Sequence, residues 1–260
     1  MNNSFKKYYE LDHLICGDEG ISKFKGRFKS KRRIKGKPDD TGLFAFKLND
    51  SNAYCFHFIP FRKGGNYGLQ HLHKRFFATI ESPEEHIYVA DRGFGSLPVA
   101  STCTDYGISF LLCCKGNRPS KLFKKQHKYR KTHSNGWPYD HIWLLHPGGM
   151  MAVTYWNNRN GTNFLTDCCN LNICYKAGAK DGEIKPLLLI NHYYNLFHGP
   201  VDSHNAEMKD YCCEIRFYKW TLAFFHFCIK LALVNSWILY KGCHKTDLSQ
   251  RNFIQLIVDG

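Results

Sequence analysis

His86-Ile87-Tyr88-Val89-Ala90-Asp91-Arg92-Gly93-Phe94-Gly95-Ser96-Leu97-Pro98-Val99-Ala100 is the stretch whose reading decides the fold. An apolar run that ends on an acid predicts a short buried strand, and a carboxylate at the carboxyl end of a central strand is where open α/β sheets present their chemistry. The competing reading makes Asp91 an N-cap for a helix starting near Ser96, and on this segment alone the two stand level. Pro98 to Tyr106 is long enough for a short helix, and Ile108 to Cys114 is a second apolar strand.

Working outward, Met150 to Trp156, Asn163 to Leu165 and Pro186 to Ile190 are further strand candidates, separated by polar stretches with Gly and Pro. Upstream, residues 1–85 read as strands and turns, with a half-buried strand over Tyr54 to Phe61, a turn at Lys63 to Gly68, and then a helix. Downstream, Tyr211 to Tyr240 reads as helical. Short strands interleaved with helices argue for an α/β fold, a mixed sheet with helices packed on it.

Composition sets the outer limits. Two hundred and sixty residues, 43% hydrophobic and 15% aromatic, exclude a disordered or collagen-like chain and suit one large domain or two interleaved small ones. Thirty-six Lys and Arg against twenty-two Asp and Glu leave a net charge of +14, which points to a polyanionic partner, nucleic acid or an anionic membrane. Trp220 to Tyr240 has the length of a membrane span, but it carries His226, Lys230 and Asn235. A lysine at mid-bilayer costs roughly 2.5–3.5 kcal/mol, so a buried helix is the expectation and no membrane partner is expected.

Twelve cysteines could indicate a disulfide scaffold, yet they include the adjacent pairs Cys113/Cys114, Cys168/Cys169 and Cys212/Cys213. No secretory signal opens the chain, so reduced thiols acting as small buried hydrophobes are expected. With no C-x-x-C pair, structural zinc is not expected, and the pairs His71/His73, His127/His133 and His198/His204 read as surface or core histidines. His198 and His204 flank Asp202, but a ligand role is expected for neither.

Two basic runs stand out. Lys23, Lys25, Arg27, Lys29, Lys31, Arg32 and Arg33, with Lys35 and Lys37, alternate for much of their span with Phe24, Gly26, Phe28 and Ser30. On a strand, period two would lay the charges along a phosphate backbone while the rings are buried. Lys121, Lys124 and Lys125 belong to a second cluster that runs from Lys115 to Lys131. Each cluster alone is more commonly a solvated face. Together they predict nucleic-acid binding and say nothing of its sequence specificity.

The stretch Asp91 to Ala100 resembles the D-N-x-F-T-S-x-x-L-A segment of piggyBac transposases. Cys16-Gly17-Asp18-Glu19-Gly20 with Phe24-Lys25-Gly26-Arg27 resembles the family's D-E-x-M and F-x-G-R block, and Lys37-Pro38 with Gly42 its K-P-x-x-x-G. Ile108 to Pro119 resembles the G-T-x-R-x-N-R strand. Trp156 to Arg159 with Phe164-Leu165-Thr166 resembles W-x-D-K and L-S-T. Tyr194-Asn195, Gly199-Pro200-Val201-Asp202 and Asn205 resemble Y-N and G-G-V-D-x-x-D, and Trp220 to Trp237 resembles the helix that follows. Each motif is weak alone, but they occur in register along nearly the whole chain.

The resemblance implies an RNase H-like core of DDE type within residues 86–210, flanked by a dimerisation and DNA-binding part in 1–85 and 211–260. It implies two Mg²⁺ ions on carboxylates, one activating the attacking oxygen and the other stabilising the leaving one. Carried over residue by residue, Asp91 is the first catalytic metal ligand and Asp202 the third, with Asp167 the acid nearest the second position and Asn170 the other candidate there. Several positions depart from the pattern. Asn205 and Asn158 stand where the family has carboxylates, Pro200 replaces a glycine, and little space remains between Asp167 and Asp202 for the usual insertion. Neither the long amino-terminal region nor the Cys/His-rich zinc domain of the family is expected in this chain.

Three functions follow as expectations. The favoured one is a DNA-binding, catalytically degenerate transposase remnant. The second is an active minimal recombinase that cuts and transfers DNA strands, and the third a non-catalytic basic interaction protein. A homodimer and nuclear location are expected by analogy with the family and from the basic run.

Overall fold

The computed structural model describes residues 1–33, 41–115, 123, 139–145, 149–157, 160–168, 173–177, 184–210 and 215–260. The chain divides into two compact units, Gly68–His198 and a discontinuous one made of Met1–Tyr67 with Gly199–Gly260.

In the continuous unit, β5 (Ile87–Gly95) and β6 (Ser109–Cys114) run parallel, joined by α3 (Leu97–Tyr106). Pro98 suits the first turn of α3, where its missing N–H costs nothing, and Gly107 closes the helix at φ 74°, a left-handed cap that a side chain would strain. Antiparallel strands continue the sheet from β6 through β9 (Asn160–Thr166) and β8 (Met151–Asn157) to β7 (Tyr139–Leu145). A separate hairpin, β10 (Ile173–Ala177) with β11 (Ile184–Leu188), leads into α4 (Leu189–Phe197). Val89, Leu111, Val153, Phe164 and Ile190 form the core on one side. On α2 (Leu69–Phe77), Leu72, His73, Phe76 and Phe77 fall on one helical face and are fully buried.

In the discontinuous unit, β3 (Thr41–Asp50) lies between β1 (Leu14–Lys23) and the short β2 (Arg32–Arg33), and β4 (Cys55–Pro60) returns along it as a hairpin. Every residue of β3 after Thr41 is buried, so both faces are covered, which is why its sequence reads as a continuous run rather than an alternation. One face meets Phe5 of α1 (Asn2–Lys7), Met208 of α5 (Pro200–Asp210), and Phe227, Leu231 and Val234 of α6 (Trp220–His244). Burying each of those Phe, Leu and Val side chains contributes about 1.5–3 kcal/mol. Helix α7 (Gln250–Asp259) follows, capped by Ser249 Oγ accepting from Asn252 N–H.

Three expectations are corrected here. The period-two strand over Lys23 to Lys37 is not formed among the described residues, because β1 ends at Lys23 opposite Gly42, beside the first residue of β3. Phe24 N–H still reaches Thr41 O, and beyond it no ladder partner remains for residues 25–31. The helix expected from Tyr211 begins only at Trp220, since Lys219 is extended. That helix is also not buried all round. By length and composition it could cross a bilayer, and only 33% of its apolar window is buried. Its inner stripe holds the core while Leu222, Phe225 and Ile229 face outward.

Gly95 shows how tightly the decisive segment is drawn. Ala90 pairs with Leu112 and Gly95 with Cys114, so residues 91–94 loop out opposite Cys113 alone. A Cβ on Gly95 would lie 1.9 Å from Cys113 O. Gly95→Ala is expected to cost about 3 kcal/mol by forcing the two strands apart, read as a lowered denaturation midpoint. Gly93→Ala, whose Cβ would meet only the Asp91 carboxylate at 3.0 Å, is expected to cost less.

Candidate functional site

The loop over residues 91–94 is organised by Asp91. Its Oδ1 accepts from Gly93 N–H at 2.7 Å and Phe94 N–H at 3.2 Å, so the carboxylate closes the bulge on itself. It is therefore not the N-cap of α3, a place taken by Ser96 without a side-chain bond. Arg92 donates from Nη2 to Thr162 Oγ1 at 3.1 Å. Burial raises the Cys113 thiol, and the nearby Arg92 partly offsets this.

Asp167 sits elsewhere on the same sheet. Its Oδ1 accepts from Phe110 N–H at 2.7 Å, at the start of β6, and Cys168 Sγ points to Phe110 O at 3.5 Å. Asp91 follows Ala90, which pairs with Leu112, whereas Asp167 follows Thr166, which pairs with Leu111 across β6. The two acids are thus offset by about 10 Å along β6 and by two strand spacings across it, roughly 10 Å more. They are not brought together, and two dications about 4 Å apart need carboxylates that are. Desolvation also raises the Asp167 carboxyl above its ordinary range, while the Phe110 N–H opposes it.

In the other unit, α5 starts at Pro200 and turns Val201, His204, Asn205 and Met208 onto one face, the i, i+3, i+4, i+7 spacing of a helix stripe. Asp202, in the first turn, is exposed. Asn205 turns inward. Its Oδ1 accepts from Lys47 Nζ at 2.8 Å and its Nδ2 donates to Glu19 O at 3.2 Å. Lys47 is wholly buried in mid-β3 and also reaches His204 Nδ1 at 3.1 Å and Met208 Sδ at 3.1 Å. Because the ammonium can only donate, His204 Nδ1 must accept, and its Nε2–H is left to donate to Asn235 Oδ1 at 3.3 Å. Burial first, and Lys47 second, hold His204 well below the usual imidazole range.

Sequence reasoning passed over Lys47 and Asp50. Asp50 closes β3, is fully buried, and its carboxylate accepts from Asn52 N–H at 3.1 Å, Tyr54 N–H at 3.0 Å and the Tyr9 hydroxyl. Burial lifts its carboxyl above the ordinary range. The signal was available: Leu43 to Leu48 is an apolar run interrupted only by Lys47 and ending in Asn49-Asp50, as Ile87 to Ala90 ends in Asp91.

Of the basic residues singled out, Lys23, Lys25, Arg27 and Lys29 are exposed while Phe24 is buried and Phe28 stacks on Trp220 at 4.7 Å. The alternation survives, carried by a loop after Lys23. Lys31 Nζ is turned back onto the Lys25 and Gly26 carbonyls, and the Arg32 guanidinium lies over the Phe61 and Phe44 rings at 4.6 and 5.0 Å. Arg33 is exposed at the end of β2. Lys121, Lys124, Lys125 and Asn158 lie outside the described residues. Among the described residues, no group of three His, Cys, Asp or Glu side chains could hold a metal ion.

A family model described as Transposase IS4 matches residues 1–237. The chain belongs to this transposase family. Among solved structures, it is similar to a piggyBac transposase in a cryo-EM synaptic complex with hairpin DNA, with a TM-score of 0.79 and 20% identity over 98% of this chain and 53% of that one. At that identity the likeness shows the fold, so the RNase H-like DDE architecture of mixed sheet and flanking helices expected of a piggyBac-type transposase is borne out. The chain spans about half the length of the transposase it matches. No curated protein matches it.

Proposed function

We propose that this transposase-family protein binds DNA and is catalytically degenerate, a piggyBac-derived chain that has kept the fold and lost strand transfer. The observation that carries the reading is Asn205. Where the resemblance implies a carboxylate, a neutral amide is fitted by both of its ends, accepting from Lys47 and donating to Glu19 O. Such an arrangement places a buried cation where a metal site needs negative charge. DDE transposases generally use divalent metal, magnesium being the expected ion here, but Asp91 and Asp167 do not fit a two-metal site. The exposed Lys23, Lys25, Arg27 and Lys29 and the net charge of +14 support DNA as partner through phosphate contacts. Residues 86–210 as catalytic core, a homodimer and nuclear location belong to the same proposal.

The competing reading is an active strand-cleaving enzyme that works through Asp91, Asp167 and Asp202. Plasmid nicking in Mg²⁺ or Mn²⁺, beside a salt-titrated binding assay, separates the two. Salt-sensitive binding without nicking is expected. Metal-dependent nicking lost in Asp91→Ala would sink the degenerate reading and make Asp167 the next residue to test.

A further inference from the structure

Within the discontinuous unit, a cleft of about 470 Å³ opens between the end of β1, the carboxyl end of α5 and the start of α6. That volume is in the range of small-ligand sites. Five cationic side chains line it, Lys23 and Lys25 from the β1 side, Lys209 from α5, Arg216 from the segment before α6, and Lys230 from α6. Among the described lining residues none is acidic. Aromatic residues line it too: Phe24 and Phe227 are buried, Phe217 is half-buried with its ring 5.0 Å from that of His226, and Tyr218 is 81% exposed. The Arg216 guanidinium lies 5.8 Å over the Tyr218 ring. Burial and the neighbouring Lys230 both lower His226 below the usual imidazole range, so it stays neutral at pH 7 and the excess of cations is carried by the lysines and arginine.

Cations from several elements around a cleft that aromatic rings also line match one ligand chemistry, a phosphate joined to a flat heterocycle. An anionic membrane surface would meet charges spread on a convex face, whereas here they converge on a concavity. Duplex DNA keeps its bases stacked inside, so only an unpaired nucleotide can offer both parts at once. We propose that this cleft holds one unpaired nucleotide of a DNA strand, its phosphates against Lys25, Arg216 and Lys230 and its base against Phe217 and Tyr218. The inference rests on the DNA-binding reading above and deepens it, since it assigns a place where strand separation, rather than duplex backbone, is recognised. Stacking on an aromatic ring tolerates any base, so the site is selective for unpaired structure and not for sequence.

The test is fluorescence anisotropy with labelled oligothymidine and, separately, a labelled blunt duplex, using the full chain. Tyr218→Ala is expected to weaken oligothymidine binding about tenfold and leave duplex binding unchanged, with Tyr218→Trp restoring affinity. Because Tyr218 is so exposed, its removal leaves the fold intact, which circular dichroism checks. Lys25→Glu with Arg216→Glu is expected to weaken oligothymidine binding and flatten its salt dependence. Unchanged oligothymidine affinity in Tyr218→Ala would overturn the site while leaving duplex binding, and so the DNA reading, intact. Displacement of oligothymidine by inorganic pyrophosphate at equal concentration would overturn it in favour of a plain anion site. Tighter binding to phosphatidylserine vesicles than to either DNA would overturn it in favour of a membrane surface. Loss of duplex binding alone, with the Tyr218 effect on oligothymidine preserved, supports the cleft and removes the duplex reading, and failure to bind either DNA removes both.

Discussion

Acidification from pH 6.5 to pH 4 is expected to remove about 3 kcal/mol of stability through His73 alone. The ring is fully buried, with Nδ1–H donating to Leu69 O at 2.6 Å and Nε2 accepting from the Tyr88 hydroxyl at 2.7 Å. Protonation would put a charge where water cannot reach and cancel the bond from Tyr88, which is why burial lowers its pKa to about 4 from 6.5. Above pH 6.5 the imidazole is neutral both folded and unfolded, and contributes no pH dependence. Below it, the unfolded chain takes up a proton that the folded chain refuses, so stability falls until the folded pKa is reached. His204, lowered by burial and by Lys47, acts with the same sign in the other unit and adds to the loss. Urea midpoints followed across this pH range should decline in the wild type. His73→Gln should be less stable at neutral pH yet show a flatter profile, and parallel profiles would refute the account.

Asn235→Leu is expected to cost roughly 2–5 kcal/mol, a fall in melting temperature on the order of 10 °C. Leucine has the same four-atom skeleton branched at Cγ as asparagine and suits the apolar neighbours Leu231 and Val234, so packing alone predicts little change. The cost is polar. Asn235 Oδ1 accepts from Cys55 N–H at 3.0 Å and its Nδ2 donates to Cys55 O at 2.9 Å, tying α6 to the outer edge of β4 as a further strand would. Leucine leaves both backbone groups buried without that partner, and each such loss costs about 1–3 kcal/mol. It also removes the acceptor of His204 Nε2–H. Ser236→Ala, one residue on and exposed, should stay within about 0.5 kcal/mol. Thermal melts of the two variants side by side decide it, and equal melting temperatures would show that α6 is held by its apolar stripe alone.

How far the chain could be read beforehand depended on whether a local pattern decided the outcome. The β5–α3–β6 unit was legible because a buried apolar run, Pro98 and Gly107 each act within a few residues. The extension of β5 through a bulge to Gly95 was not, because it depends on the approach of Cys113 O from another strand. Lys47 was passed over for a related reason. In sequence it reads as one more positive charge, yet α5, far along the chain, supplies the His204, Asn205 and Met208 that make its burial tolerable. Asp167 looked like a site acid by proximity in sequence to β9, and only the antiparallel register of β9 on β6 shows that it faces Phe110 and not Asp91. The buried stripe of α6 was legible from its apolar content, whereas its outward Leu222 and Phe225 were hidden by that same content.

The discontinuity of one unit sets an order on synthesis. A ribosome will have made all of Gly68–His198 before any of Gly199–Gly260 exists, so the unit that begins the sequence is the one completed last. Until then Phe58, Ala45 and Cys55 have neither Phe227 nor Leu231 to cover them, and Lys47 lacks His204 and Asn205. Emerging chains therefore carry an apolar sheet face and a half-solvated lysine for the time needed to translate the intervening residues, on the order of ten seconds at ordinary elongation rates. The nascent protein is most exposed to chaperones and to misassociation in that interval, and slowing translation after His198 should lower soluble yield more than slowing it before Gly68.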